Sequence, residues 1–493
     1  MSDPLTKART YEAGRESQIS PAQRPGFHLS PRVGWMNDPN GFSWYGGQYH
    51  LFYQYNPYDT VWGPMHWGHA VSRDLLHWQP LPAALAPDTS PDQDGCFSGS
   101  AAALPDGRHL LLYTGVRRKA DTDQFFQTQC LAVGDGVNYE KYSGNPVLDQ
   151  TALPQGACPY DFRDPKLWQQ ADGTFRCVAG ARLDGGSGSI LRFRSRDGFH
   201  WEPDGILEEN RLGYGCMWEC PDYFPLDGKQ VLLVSIVGAQ DVPVDGVELP
   251  PGNHVLCLMG HEGPDGRFRQ ESLQAVDCGL DFYASQTLLS PDGRRILVGW
   301  MQSWSALDHR SPQPLPWFGQ ITLPRELSLR EGRLIQVPIR ELDALRGPAQ
   351  IADTLRVEGE QLLEAVQGSM LDLTLEAAPG ETEPLYESLS LAFTWGETDC
   401  VRITFSPAPS TLRLERSGSG SHAWTHTRTC RVENRGGRVK LRAILDRYSL
   451  ELFVNDGQQV LSCVLYPPQV FQRVRLDVRG SAAVRVESYP LLP

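Results

Sequence analysis

The stretch SRDLLHWQP at residues 72–80 recurs as SRDGFHWEP at residues 195–203. Each copy is a short polar turn that ends in a tryptophan, and the two copies lie far apart in the chain. A turn that recurs in a strand-rich chain is typical of four-stranded sheets repeated around an axis, as in a β-propeller. The alternative is chance similarity between two polar turns that end in a buried tryptophan. The repeat favours the propeller.

The rest of the chain also indicates β structure. Its 48 glycines and 38 prolines separate short runs of β-branched and aromatic residues, which leaves little room for long amphipathic helices. The clearest predicted strands are residues 110–116, 175–181, 190–195, 231–237, 255–260 and 296–301. Hairpin turns are predicted at Gly46-Gly47, Asp106-Gly107, Asp172-Gly173, Asp265-Gly266 and Asp292-Gly293. We therefore expect an all-β protein.

Composition changes after residues 317–329, where a proline-rich stretch ends. Beyond it, apolar and polar residues alternate in runs such as LSLAFTW (389–395) and VKLRAIL (439–445), which is typical of a β-sandwich. We expect four parts: a flexible N-terminal tail at 1–24, the propeller at 25–335, a linker at 336–348 that could form a short helix, and a β-sandwich at 349–493. No acidic cluster stands out in the sandwich, so we expect it to support the propeller.

The charge balance excludes some partners. Among 493 residues, 45 Lys and Arg stand against 59 Asp and Glu, a net charge of −14, which argues against nucleic acid and anionic membranes. The longest apolar run, residues 231–237, is far shorter than the roughly 18 residues that a membrane-spanning helix needs. The polar N-terminus lacks a secretory signal, so we expect a cytoplasmic protein. Eleven scattered cysteines indicate reduced thiols, and Cys216 and Cys220 lack the further ligands of a zinc site.

Three short segments place an acidic residue next to or near a proline: WMNDPNG (35–41), FRDP (162–165) and WECPD (218–222). Taken singly, they could be a plain turn, a surface ion pair and a solvated glutamate. Aromatic residues surround them in the sequence, namely Trp35, Trp44, Trp62, Trp67, Phe97 and Trp218. Sugar rings pack against aromatic faces, and a carboxylate pair in such a pocket suits cleavage of a glycosidic bond. Together the segments predict a glycosidase site.

A longer series of motifs makes the resemblance specific. In chain order these are WMNDPNG, QYNP (54–57), WGPMHWGHA (62–70), FSGS (97–100), FRDP, WECPD and DFYASQ (281–286). The series resembles glycoside hydrolase family 32, which contains invertases, fructan β-fructosidases and sucrose-6-phosphate hydrolases. GWMQSW (299–304), LPREL (323–327) and DRYSLELFVNDG (446–457) extend the resemblance over nearly all of the chain after about residue 25.

The resemblance implies a five-bladed β-propeller followed by a C-terminal β-sandwich, with the active site in a funnel at the propeller axis. It implies that Asp38 is the nucleophile, Glu219 the general acid/base and Asp164 the residue that stabilises the transition state. The fructose-binding positions that it implies are Asn37, Gln54, Trp62, Phe97, Ser98, Arg163, Tyr283 and Trp300. The family works without a metal or cofactor. For His66 and His69 we favour structural or hydrogen-bonding roles over metal ligation.

The implied reaction is hydrolysis with retention, releasing terminal non-reducing β-D-fructofuranosyl units through a covalent fructosyl-enzyme intermediate. The expected partner is a small carbohydrate: sucrose, sucrose 6-phosphate or a short fructo-oligosaccharide. Arg117, Arg118 and Lys119 could bind a phosphate, although an exposed basic loop is more often only solvated. Two alternatives stay open, a fructosyltransferase that uses the same intermediate and a non-catalytic fructan-binding protein.

Two further points stay open at the level of sequence. Arg163 could simply neutralise the adjacent Asp164, or it could bond a sugar hydroxyl or another carboxylate of the site. The sandwich could also bury a face against a second copy, which would make the protein a homo-oligomer.

Overall fold

The computed structural model of the chain describes residues 3–183, 186–211, 213–244, 247–304, 315–380, 385–394, 400–418, 424–465 and 473–493. Five sheets of four or five strands surround an axis, and one large sheet follows at the C-terminal end. The predicted five-bladed propeller with a C-terminal sandwich-like sheet is therefore confirmed. No helix in the described ranges is long and apolar enough to cross a bilayer.

The propeller blades follow one another along the chain, and each is an antiparallel meander. Blade 1 contains β1 (Gly34–Tyr45), β2 (Gln48–Asn56), β3 (His66–Ser72) and β4 (Gln79–Leu85). Blade 2 contains β5 (Gly95–Ala103), β6 (His109–Arg118), β7 (Phe125–Gly134) and β8 (Tyr139–Lys141). Blade 3 contains β9 (Phe162–Gln169), β10 (Phe175–Arg182), β11 (Gly188–Ser195) and β12 (Trp201–Glu209).

Blade 4 contains β13 (Met217–Leu226) and β14 (Lys229–Ala239), a small hairpin of β15 (Val242–Val244) and β16 (Val247–Leu249), and then β17 (Gly252–Glu262) and β18 (Phe268–Ala275). Blade 5 begins with β19 (Tyr283–Leu289) and β20 (Arg295–Trp300). The short strand β21 (Trp317–Phe318) then pairs in parallel with the start of β1 and so links the end of the propeller to its beginning. Blade 5 ends with β22 (Arg325–Arg330) and β23 (Arg333–Pro338).

The sequence signals for strands and turns are confirmed. The six predicted strands lie in β6, β10, β11, β14, β17 and β20, although β20 ends one residue earlier than predicted. The repeated turn occupies the same place in two blades, because it joins β3 to β4 and β11 to β12. In both copies a histidine Nδ1 lies 2.7 Å from an aspartate Oδ2, in the pairs His77–Asp74 and His200–Asp197. The repeat therefore marks equivalent turns of the propeller.

The first strand of each blade lies nearest the axis, and these five strands contact one another without sharing a sheet. Buried side chains bridge them instead. Gln286 of β19 accepts the Phe42 N–H of β1 at 2.7 Å and donates to the Gly99 carbonyl of β5 at 3.0 Å. Ser100 of β5 donates to the Pro165 carbonyl of β9 at 2.7 Å. These bonds satisfy backbone groups that would otherwise be buried without partners.

The C-terminal part is one ten-stranded antiparallel sheet. Its strands are β24 (Ile351–Leu362), β25 (Leu371–Pro379), β26 (Ser388–Thr394), β27 (Cys400–Ser406), β28 (Thr411–Gly418), β29 (Trp424–Arg431), β30 (Val439–Asp446), β31 (Ser449–Val454), β32 (Gln459–Val464) and β33 (Arg473–Pro490). The first part of β33 pairs with β26 and the second part with β25. On its other edge, β33 pairs with β24 along nearly the whole length of β33. The two halves of the sheet share one apolar core.

The N-terminal segment differs from the predicted flexible tail. Residues 4–16 form the helix α1 (Pro4–Glu16), which packs on blade 1. Glu12 is fully buried and accepts the Ala83 N–H of blade 1 at 2.9 Å, and Arg32 pairs with it at 3.0 Å. The prediction is wrong for this stretch because the helix docks through a buried charge, and a sequence with few apolar residues gives no amphipathic signal.

The junction between the domains contains a 3₁₀ helix, Arg340–Leu345, and a network of buried charges. His28, just before β1, lies between Asp446 Oδ2 at 2.8 Å and Glu451 Oε1 at 3.0 Å. Arg325 of blade 5 donates to Glu451 Oε2 at 2.7 Å. Burial by itself lowers the pKa of His28, but hydrogen bonds with Asp446 and Glu451 outweigh burial and raise the pKa to about 9. The network joins both domains and the N-terminal segment.

We expect His28→Gln to reduce the pH dependence of stability. Because the folded pKa of His28 is raised from 6.5 to about 9, its contribution is fully present below pH 6.5 and is lost as the pH rises through about 9. The wild-type free energy of unfolding should therefore fall by up to ~3 kcal/mol over this range. Denaturant titrations at several pH values measure the slope, with the exposed His200→Gln as control. Equal slopes in His28→Gln and wild type would contradict the assignment.

Candidate active site

The site lies where the innermost strands are irregular. In β1, β5, β9, β13 and β19 the pairing register shifts near residues 36–39, 97–99, 163–166, 219–222 and 283–286. Asp164, Cys220 and Ala284 have φ angles of +62°, +47° and +51°, which non-glycine residues rarely adopt. Such bulges turn side chains out of the regular alternation of a strand. Five bulges at one end of the axis therefore bring side chains from all five blades together.

Asp38 is held by its neighbours on both carboxylate oxygens. Asn37 donates to Oδ1 at 2.9 Å, and Ser98 of blade 2 donates to Oδ2 at 2.7 Å. Burial raises the pKa of Asp38, the bonds from Asn37 and Ser98 oppose this rise, and the charge of Glu219 adds to it. The hydrogen bonds fix the orientation of the carboxylate and favour its ionised form.

Asp164 lies on β9 and is 6% exposed. Its Oδ2 accepts the backbone N–H of Cys220 at 3.0 Å, and its own N–H donates to the Thr114 hydroxyl at 2.9 Å. Burial raises the pKa of Asp164 to about 7, with Arg163 opposing the rise and the charges of Glu219 and Asp38 adding to it. The protonated form of this carboxyl is therefore favoured more than in an exposed aspartic acid.

Glu219 lies on β13, and a cation and a phenol bind its two oxygens. Arg163 donates to Oε1 through Nη2 at 2.8 Å and Nε at 3.0 Å, and Tyr283 donates to Oε2 at 2.7 Å. Arg163 approaches Asp164 no closer than 4.0 Å. Of the roles left open by the sequence, the structure shows a bond from Arg163 to another carboxylate of the site.

The thiol of Cys220 joins the acids, and sequence reasoning missed it. Its Sγ lies 3.8 Å from Asp38 Oδ2 and 3.7 Å from Asp164 Oδ2. Burial raises the pKa of this thiol, and the charge of Asp164 adds to the rise, so a neutral S–H group separates the two carboxylates. The only signal in the sequence is its place directly after Glu219 in WECPD. Asp38, Asp164 and Glu219, from three blades, thus meet around one residue.

Aromatic residues divide into an open wall and a buried layer. Trp62 is 49% exposed and its ring meets Phe97 edge to face at 6.0 Å, next to Ser98. Trp300, by contrast, is fully buried, and its ring packs 5.9 Å from that of Trp35. The structure therefore does not bring Trp300 to the surface of the site. Trp300 ends β20, the strand next to the innermost strand of blade 5, and its ring supports that of Trp35 instead.

The remaining polar residues of the predicted site lie beneath its surface. Asn37 accepts the Trp35 indole N–H at 2.7 Å, and Gln54 donates to the Cys96 carbonyl at 2.9 Å. Each of the two is only 3% exposed. They hold the wall of the site in place.

The two histidines of WGPMHWGHA are buried away from solvent. Nδ1 of His66 lies 2.8 Å from the Pro64 carbonyl, and Nε2 of His69 lies 3.0 Å from His50. Burial lowers the pKa of His66 to about 4, which makes it neutral at ordinary pH. Both histidines have structural contacts, and the described residues contain no group of three or more metal-ligating side chains.

The propeller axis holds three carboxyl groups beside exposed aromatic residues, and the pKa values of Asp38 and Asp164 are raised. This arrangement is suited to a glycosidase. The family model for the glycosyl hydrolases family 32 N-terminal domain matches residues 28–338, and that for the family 32 C-terminal domain matches residues 341–490. The chain belongs to glycoside hydrolase family 32 and is an invertase-type glycoside hydrolase, as its motifs indicated.

Individual relatives agree with this assignment. A sucrose-6-phosphate hydrolase from Escherichia coli is 35% identical over 93% of this chain and 93% of its own length. A raffinose invertase from Escherichia coli is 37% identical over 90% of this chain and 89% of its own. A solved family 32 β-fructofuranosidase from Bombyx mori, 35% identical, superposes with a TM-score of 0.83 over 99% of this chain and 98% of its own. A mutant of the same silkworm enzyme has been solved in complex with sucrose.

We expect Ser98→Ala to raise the pKa of Asp38 further. The variant loses the 2.7 Å bond that stabilises the ionised carboxylate, while burial and the charge of Glu219 stay in place. A shift of about one pH unit is expected for the loss of one such bond. Carbon NMR titration of the side-chain carboxyl groups measures it.

The matched control for this titration is Ser100→Ala, whose hydroxyl donates to the Pro165 carbonyl. That variant should leave the titration of Asp38 unchanged. An unchanged titration in Ser98→Ala would contradict the role of Ser98.

Proposed function

We propose that the protein is a retaining β-fructofuranosidase that releases a terminal β-D-fructofuranosyl unit from sucrose or a close derivative. The observation that carries this proposal is the convergence of Asp38, Asp164 and Glu219 around Cys220 at one end of the axis. The fructosyl substrate is supported by the names of the relatives, a sucrose-6-phosphate hydrolase, a raffinose invertase and a β-fructofuranosidase.

In the first step, ionised Asp38 attacks C2 of the fructosyl unit, and the bond from C2 to the glycosidic oxygen breaks. Glu219 gives its proton to the leaving oxygen. In the second step, water attacks C2 and returns a proton to Glu219, fructose leaves, and the carboxylate of Asp38 is restored. Asp164 accepts hydrogen bonds from the fructosyl hydroxyls and stabilises positive charge that develops on the ring.

The electrostatics of the site supply the proton for the first step. Arg163 contacts Glu219 and Asp161. Its single positive charge compensates only part of the negative charge of the three acids proposed for the reaction. Burial, mutual repulsion and the limited compensation by Arg163 bring the pKa of Asp164 to about 7. The group of acids therefore retains a proton, which Glu219 gives to the leaving oxygen in the first step and regains from water in the second.

Asp38→Asn should abolish turnover and spare the fold. The amide keeps the shape of the side chain but cannot form the covalent intermediate, so we expect kcat to fall by about 10⁴-fold or more. Fructose release from sucrose measures activity, and thermal unfolding checks the fold. The exposed Asp172→Asn is the matched control and should retain wild-type activity. Unchanged fructose release by Asp38→Asn would remove the proposed nucleophile.

The stereochemistry of the product tests the intermediate separately. Double displacement predicts that fructose first appears as the β anomer, which proton NMR of the fresh product detects. Appearance of the α anomer would indicate single displacement and would contradict a role of Asp38 as nucleophile.

One observation favours sucrose 6-phosphate among the possible substrates. Cys96 of β5 pairs with Gly115 of β6, so the hairpin after β6 lies at the same end of blade 2 as Phe97. There Lys119 Nζ lies 2.8 Å from the Tyr160 hydroxyl, and Arg117 is exposed. Two cations at this end of blade 2 are suited to binding the phosphate group of sucrose 6-phosphate.

The third predicted cation of this loop has partners of its own. Arg118 binds the Thr122 carbonyl at 2.8 Å and the Asp123 carboxylate at 2.5 Å. It therefore shapes the loop, and Arg117 and Lys119 are the two residues for which we propose a phosphate contact.

Lys119→Gln should raise KM for sucrose 6-phosphate about 10-fold and leave KM for sucrose within about twofold, because only the phosphate would contact the lost charge. Steady-state kinetics on both sugars measures this. The exposed Lys229→Gln is the control and should change neither value. Equal changes on both sugars would show that the loop does not recognise the phosphate.

A further inference from the structure

The guanidinium of Arg163 binds more than the proposed proton donor. Its Nε and Nη2 form a fork that binds Glu219 Oε1 at 3.0 and 2.8 Å. The third nitrogen, Nη1, lies outside this fork and donates to Asp161 Oδ1 at 3.1 Å and to Gln127 Oε1 at 3.2 Å. Because a guanidinium is planar and rigid, the two acceptors on Nη1 set the plane in which the fork meets Glu219.

Asp161 is the charged acceptor of the two, and it lies directly before β9. Burial raises the pKa of Asp161, but the charges and hydrogen bonds of Arg163 and Arg182 outweigh burial and lower the pKa below its usual value. Asp161 is therefore a carboxylate near neutral pH. Its bond to Arg163 is charge-assisted, and such bonds are stronger than bonds between neutral groups.

Asp161 is itself fixed by a second arginine. Arg182, at the end of β10, donates through Nε to Asp161 Oδ2 at 2.6 Å, and its backbone N–H donates to the Asp161 carbonyl at 3.1 Å. The carboxylate is thus shared between two guanidiniums, one on each oxygen. Many ion pairs near a protein surface contribute little. This one differs because one of its cations also binds Glu219.

Gln127 supports Arg163 from the neighbouring blade. It is buried on β7, and its Oε1 accepts the Phe162 N–H at 2.9 Å as well as the bond from Nη1 of Arg163. A neutral oxygen that is shared between two donors binds each of them less strongly than a carboxylate does. Asp161 is therefore the stronger of the two anchors of Arg163.

We propose that Asp161 is a positioning residue for the general acid. It fixes the guanidinium of Arg163, which in turn holds Glu219 where it can protonate the leaving oxygen. This inference rests on the acid/base role proposed for Glu219 above. Proton transfer requires hydrogen-bond distance between the acid and the leaving oxygen, so a small displacement of Glu219 lowers the rate of cleavage.

Substrates with different leaving groups test the proposal. A sugar oxygen needs a proton in order to leave, whereas fluoride leaves with little help from an acid. Asp161→Ala should lower kcat/KM for sucrose about 10-fold and change kcat/KM for β-D-fructofuranosyl fluoride by less than about twofold. Steady-state release of fructose measures both values. Asp161→Asn keeps a neutral acceptor and should show a smaller loss that is also confined to sucrose.

The matched control is Asp204→Ala. Asp204 lies on β12 of the same blade, is also shared between two guanidiniums, those of Arg176 and Arg192, and has a side chain 18% exposed against 23% for Asp161. This variant should keep wild-type kcat/KM on both substrates. Equal losses on sucrose and the fluoride in Asp161→Ala, or no loss on either, would overturn the proposal. If thermal unfolding shows that Asp161→Ala does not fold, Asp161→Asn decides by the same criterion.

Glu219→Gln separates a failure of this proposal from a failure of the proposed function. Its kcat/KM should fall about 10²-fold or more on sucrose and much less on the fluoride. An equal fall on both substrates would count against Glu219 as the proton donor. A selective fall in Glu219→Gln with an unselective one in Asp161→Ala would overturn the role of Asp161 alone.

Discussion

The innermost strands of the propeller meet at the axis with backbone edges that no neighbouring strand can pair. Buried backbone groups need partners, so side chains must supply them. Gln286 binds backbone groups of blades 1 and 2, and Ser100 does so for blade 3. Gln286 and Ser100 hold the blades together where the strands meet. They therefore divide the axis into two regions, one at each end of the innermost strands. Asp38, Asp164 and Glu219 lie in the region where the innermost strands begin.

The same five strands explain why the acids behave differently from one another. Bulges near Asp38, Asp164 and Glu219 place them within reach of each other's charge. Arg163 binds Glu219 directly, whereas Asp38 depends on neutral donors and Asp164 on a backbone N–H and a thiol. Burial raises the pKa of Asp38 and raises that of Asp164 to about 7, and these different partners oppose the two rises. A site that needs both a carboxylate and a carboxylic acid at one pH is built from such differences.

Much of the fold was predictable because its signals are local. The strands follow from apolar runs, the turns from Asp-Gly pairs and the equivalence of two blades from a repeated turn. The three acids were also predictable, because each stands in a motif. What could not be predicted depends on contacts between distant residues: the docking of α1 through Glu12, the position of the Cys220 thiol beside Asp38 and Asp164, and the burial of Trp300. Sequence spacing does not reveal which partner a buried side chain meets.

The charge network around His28 also bears on how the two domains depend on each other. Asp446 and Glu451 belong to the C-terminal sheet, while His28 and Arg325 belong to the propeller side of the junction. A propeller produced without the sheet would leave His28 without both of its acidic partners and Arg325 with Asp277 alone. An isolated sheet would carry Asp446 and Glu451 without these partners. Neither half is therefore a self-sufficient module, and exchanging the sheet for that of a relative would require both sides of the junction to be exchanged together.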